Sequence, residues 1–121
     1  MNPQQLSSVL ALATAADPRV EVSDEATAAW YLMIGNLDFA DTRRAVIEHY
    51  QESNDRVMPA DIHARVKAIR AARLANVDEA RLMEDVDPDD GPTWVRELQA
   101  RTKAIADGTG KMVLAGNPFA R

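Results

Sequence analysis

SDEATAAWYLMIGNLDFADTRRAVIEHY, residues 23–50, reads as two helices in tandem, and that reading decides the fold. Ser23 is placed to cap the first, because its hydroxyl can accept an otherwise orphaned backbone N–H. Asp24 and Glu25 then complement the positive end of the helix dipole. Ala26, Ala29, Trp30, Met33 and Leu37 fall on one face at helical spacing. Gly35 and Asn36 are natural terminators. Asp38 caps the next helix, with Asp41 at the third helical position. Phe39, Val46 and Tyr50 line one stripe there, with Ile47 beside it. Asp41, Arg44 and Glu48 sit opposite, and Arg44–Glu48 is an i,i+4 ion pair. The preceding VEV, residues 20–22, has the look of a short β-bridge, but no partner strand is evident.

The same punctuation extends in both directions. Toward the N-terminus, Asn2, Pro3 and Gln5 form the pattern of a capping box with proline at the first helical position. Leu6, Val9, Leu10 and Ala13 make an apolar face, and Asp17-Pro18 ends it. Toward the C-terminus, ESNDRVMP (residues 52–59) is a break and Pro59 opens a fourth helix. Ile62, Val66 and Ile69 form its buried stripe. Arg65, Lys67, Arg70 and Arg73 populate the rest, to about Leu74 or beyond. The fold class expected is all-α, with a small four-helix domain over residues 1–77.

Composition then shifts. EDVDPDD, residues 84–90, carries five carboxylates and a proline in seven residues. Such a run repels itself and buries no apolar surface, so residues 78–91 read as an acidic linker. GPTWVRELQARTKAIADG (91–108) follows as one more helix, opened by Pro92 and closed by Gly108. Trp94, Leu98, Arg101 and Ile105 share its stripe. A lone helix has no core of its own, so this face must dock on the first domain, another copy or a partner. Trp94 is equally an intramolecular staple or an intermolecular anchor. Residues 92–121 thus read as a C-terminal helix and a flexible basic tail. DGTGKM, residues 107–112, only imitates a phosphate loop. The leading glycine position holds Ile105, and Met112 stands where a hydroxyl must meet magnesium.

Composition bounds the function. The 121 residues contain no cysteine, which excludes disulfides and thiolate metal sites and fits a reducing interior. No apolar run approaches the ~18 residues needed to span a membrane. The N-terminus lacks a basic region, so no signal peptide is expected, and a cytoplasmic location is. A net charge of −5 argues against non-specific DNA coating. His49 and His63 have no complete ligand set, so no metal and no cofactor is expected. Ser7, Ser8, Ser23 and Ser53 lie at helical, capping or loop positions without a base and an orienter, so no catalytic residue and no enzyme is expected. Arg65, Lys67, Arg70 and Arg73 remain a candidate nucleic-acid contact, weak or indirect.

One longer stretch carries a resemblance. AWYLMIGNLDFADTRRAVIEHYQESNDRVMPADIHARVKAIRAAR (residues 29–73) sets Trp30, Phe39, Ala45-Val46, Tyr50, Pro59 and Asp61-Ile62 in a fixed order. This order resembles the N-terminal helical domain of phage and prophage replicative-helicase loader/inhibitor proteins, including actinobacterial relatives, over roughly residues 3–75. The resemblance implies a non-enzymatic adaptor that binds a hexameric replicative helicase, holds it inactive and delivers it to an origin or an origin-binding protein. It also implies a flexible C-terminal region that contacts the helicase. Within that region the pattern singles out Trp94, Leu98 and Ile105 as the partner-facing stripe. Met112, Leu114 and Phe119 are secondary anchors, and Arg101 and Lys111 supply charge. The cysteine-rich zinc module of some relatives is absent. The other readings are a small DNA-binding module using the fourth helix, or a homo-oligomeric phage structural or assembly protein that exchanges its C-terminal helix.

Overall fold

The structure, a computed structural model, describes residues 1–110. The protein is all-α. Its described helices are α1 (Pro3–Ala16), α2 (Asp24–Ile34), α3 (Phe39–Glu52), α4 (Pro59–Leu74), α5 (Glu79–Leu82) and α6 (Gly91–Ala106). The chain divides into two compact units, residues 1–68 and residues from Ile69 onward. The dividing point falls inside α4, not at residue 77.

Side-chain caps set the helix starts. Asn2 and Gln5 form the reciprocal box at α1, with bonds of 2.8 and 2.9 Å. Ser23 accepts from Ala26 N–H at α2, and Asp38 from Asp41 N–H at α3. At α4 the Asp61 carboxylate reaches back to Met58 N–H, 2.8 Å away, and Pro59 occupies the first turn. Each cap satisfies donors that a helix start leaves orphaned.

The first unit is built around Leu6, Val9, Leu10 and Ala13 of α1, which pack with Val20, Ile34, Ala45, Val46, Val57, Ile62 and Val66. Trp30, Phe39 and Tyr50 lie half-buried against this cluster. Two faces differ from the sequence reading. On α2 the core residue is Ile34, fully buried, while Met33 is 52 % exposed. On α3 the buried face is Asp41, Thr42, Ala45, Val46 and His49, and Ile47 is exposed. Small Ala45 and Thr42 suit a helix that lies close to its neighbour. Thr42 hides its hydroxyl by donating to Asp38 O at 2.7 Å, so it enters the core without an unmet bond.

The second unit has its own core: Leu82, Met83 and Ile105, with Val77, Val86, Trp94 and Leu98 against it. Residues 78–91 are therefore not a plain linker. Asp78 caps α5 by accepting from Arg81 N–H, and Leu82-Met83 give the segment an apolar pair to bury. The C-terminal helix docks on this piece of its own chain. Gly108, with φ +79°, closes α6 in the left-handed conformation that glycine takes without strain.

Candidate functional site

The expected partner-facing stripe turns inward. Trp94 and Leu98 are half-buried in the second core, and Ile105 lies at its centre. Arg101 is held as well. Its Nη1 donates to Asp85 Oδ1 at 2.6 Å and to Leu82 O at 2.8 Å, and its Nε donates to Glu97 at 3.3 Å. The bond to Asp85, followed by that to Glu97, holds the guanidinium above its already high ordinary value against the opposing effect of desolvation. Lys111, Met112, Leu114 and Phe119 lie outside the described residues. The outer surface of α6 carries Val95 among the polar Arg96, Gln99 and Lys103.

The basic face of α4 is also committed within the chain. Arg65 pairs with Glu52 at 3.0 Å, and Arg70 pairs with Asp107. Arg73 donates to Ala106 O at 2.8 Å, next to Gly108. Lys67 is exposed. Asp107 is held below its ordinary value by Lys103 first and Arg70 second. Three guanidinium groups that bind carbonyls and carboxylates are poorly placed to neutralise phosphates.

Buried polar groups cluster at the end of α3 and serve the fold. Asp17 accepts from Arg19 N at 3.0 Å, Arg19 Nε at 2.9 Å and Tyr50 OH at 2.9 Å. Tyr50 OH in turn accepts from Val57 N–H at 3.1 Å. His49 donates from Nε2 to Asp55 O at 2.6 Å and stands edge-on to Tyr50, ring centroids 4.9 Å apart. A shallow open depression of about 520 Å³ lies here, lined by His49, Ser53, Asp55, Asp61 and Arg65 among others. His49, Asp61 and Arg65 are already engaged with Asp55 O, Met58 N–H and Glu52, so they do not converge on a ligand. Among the described residues, no group of three or more His, Cys, Asp or Glu side chains is placed to hold a metal ion. Nor is any helix there long and apolar enough to cross a membrane.

The Asp17 bonds make a prediction about acid. The Arg19 side chain, first among the causes, holds the Asp17 carboxyl far below its ordinary value near 3.8, with Tyr50 helping and desolvation opposing. In the unfolded chain the carboxyl titrates near that ordinary value. The stabilisation is therefore complete above about pH 5 and erodes as pH falls through 4 toward the folded value. Asp17→Asn is expected to flatten the melting temperature against pH between about pH 5 and 2.5. Asp107, also depressed, leaves some slope behind. An unchanged slope in the variant would remove Asp17 from this account.

The feature left bare is on α2. Residues 26–34, ATAAWYLMI, carry no charge, so past its first turn the helix has no charged side chain to mark a solvent face. A helix of that kind is normally covered all round. In the first unit its inner side, Ile34 with Trp30 beside it, packs into the core. Leu32 is 88 % exposed, with Tyr31 and Met33 exposed on either side and Val22 just before the helix. The C-terminal end of α2 is held in place. The Met1 ammonium donates to Gly35 O at 2.7 Å and Leu37 O at 2.9 Å, and His63 Nε2 donates to Met33 O at 2.7 Å. The face is thus presented on a fixed backbone, which lowers the ordering cost of binding.

Sequence reasoning passed over Leu32 and assigned Met33 to the core. The signal was present in nine successive uncharged residues, more than one buried stripe can hold. No family model, no curated protein and no solved structure matches the chain.

Proposed function

We propose that the chain is a non-enzymatic adaptor of DNA replication that binds a hexameric replicative helicase, inhibits or loads it, and works in the cytoplasm with an origin-binding protein as the delivery target. The observation that carries the adaptor part is the uncovered apolar face of α2 around Leu32. A fixed apolar face with few polar groups is the anatomy of a protein-binding surface. The helicase as partner rests on the resemblance of residues 3–75. The DNA-binding alternative loses its support, because Arg65, Arg70 and Arg73 are engaged within the chain. The helix-exchange alternative likewise loses its free helix, since α6 packs on Leu82 and Met83.

The test is capture of the host replicative helicase by the full chain and by Leu32→Asp. A truncation before α6 would bare Leu82 and Met83 and create false stickiness, so point variants are the cleaner choice. Leu32 touches little of its own chain, so the variant should stay helical by circular dichroism. We expect its affinity for the helicase to fall by at least about tenfold, the size of a modest hot spot. No capture by the unaltered chain would end the helicase reading. Equal capture by both would keep the function and move the site away from α2, with Lys111, Met112, Leu114 and Phe119 next to be tested.

A further inference from the structure

We infer that the α2 face takes an amphipathic helix carrying lysine or arginine beside its apolar stripe, an inference that rests on the adaptor reading above. At 100° per residue, Glu25, Ala28 and Leu32 fall in one exposed column, flanked by Tyr31 and Met33. The column is about 10 Å long, two helical turns. Ala28 makes a notch between two longer side chains, and large residues at i, i+3 and i+7 of an incoming helix fit beside Leu32. An exposed helix face offers an opposing helix more contact than it offers a small molecule, which binds in a concave pocket.

The rim selects the charge. Glu21, Asp24 and Glu25 are all exposed at the N-terminal end of the column. Asp24 and Glu25 make no side-chain bond among the described residues, whereas Glu21 accepts from Ser23. The first unit holds ten acidic side chains against six basic ones. A second copy fits this rim poorly. Parallel pairing would set Glu25 on Glu25. Antiparallel pairing would bring the acids to the negative end of the helix dipole, where the Met1 ammonium is already bonded to Gly35 O and Leu37 O. A basic helix meets the acids with complementary charge and its stripe with Leu32.

The experiment titrates the isotope-labelled full chain with two designed helical peptides, followed by amide chemical shifts. Both peptides carry the same leucine–alanine stripe, flanked by lysines in one and by glutamates in the other. The lysine peptide should shift the amides of Glu25, Ala28, Tyr31, Leu32 and Met33 saturably. It should bind about fivefold more tightly than the glutamate peptide, in keeping with exposed charge pairs. Leu32→Asp should remove both responses, and the double variant Asp24→Lys, Glu25→Lys should reverse the preference. Equal affinities, no shift from either peptide, or shifts at these amides on simple concentration of the chain would each overturn the inference. The last would hand the face to a second copy. Helicase capture that the lysine peptide does not displace would also defeat it while leaving the proposed function standing. Peptide binding as described with no helicase captured would do the reverse.

Discussion

Ile34→Ala is expected to destabilise the first unit by about 2–5 kcal/mol, whereas Met33→Ala changes it by no more than about 0.5 kcal/mol. The two residues are neighbours of similar size and hydrophobicity, so composition gives no reason for the contrast. Burial gives it. Ile34 is fully buried among Leu6, Val9, Leu10 and Val46, and removing its three outer carbons leaves a cavity. Met33 faces solvent over half its surface and loses little when shortened. For a unit of this size the Ile34 variant should melt on the order of 10 °C lower or more. Hydrogen exchange at α1 and α3 amides separates this effect from any change in the second unit. Equal losses from the two variants would mean that α2 is rotated from the orientation described, and the bare face around Leu32 would go with it.

The limits of the sequence reading have the same origin. Caps were legible because they depend on one side chain and a backbone three residues away: Asn2, Ser23, Asp38 and Gly108 all act as their local pattern predicts. Faces were less legible. On α1, polar residues alternate with apolar ones and the stripe Leu6, Val9, Leu10, Ala13 is unambiguous. On α2 no charged residue follows Glu25, so over residues 26–34 the periodicity that normally separates inside from outside carried little information. On α3 the stripe Phe39, Val46 and Tyr50 does face the core, but Ile47 beside it does not. The chain also buries Thr42, Ala45 and His49, the polar groups of Thr42 and His49 finding partners in Asp38 O and Asp55 O. That satisfaction depends on a turn several residues away and is invisible to spacing.

Charge misled in a related way. The cations of α4 and the acids of 84–90 were read as two separate surfaces. The structure uses members of both sets as partners for other groups. Arg70 meets Asp107, Asp85 meets Arg101, and Asp90 accepts from Thr93 N–H at the start of α6. An exposed pair of this kind adds little stability by itself. Its effect here is to occupy groups that otherwise invite a phosphate or a metal. The candidate site was therefore not legible as a place. The stripe expected to face a partner, Trp94, Leu98 and Ile105, packs within its own chain, the staple alternative for Trp94, and Leu32 is outside.

Met83→Ala should be the decisive change in the second unit. Met83 is 1 % exposed in a core of few residues, Leu82 and Ile105 being its buried neighbours. Loss of a buried methionine costs about 2–5 kcal/mol. A small core has little reserve, since whole domains are stable by only about 5–15 kcal/mol. The four-residue α5 cannot hold itself together without that packing. We therefore expect α6 amides to lose most of their exchange protection in Met83→Ala, while α1 and α3 keep theirs. Glu84→Ala, one position along and exposed, should leave α6 unchanged. The comparison separates two physical pictures of residues 78–91. A solvated tether, the picture its seven carboxylates invite, transmits nothing, and both variants would then leave α6 alone. A packed segment makes α6 depend on the one methionine and not on the acid beside it. In the structure the carboxylates cap α5 and α6 and hold Arg101, which leaves Leu82 and Met83 to supply the contact that a tether would lack.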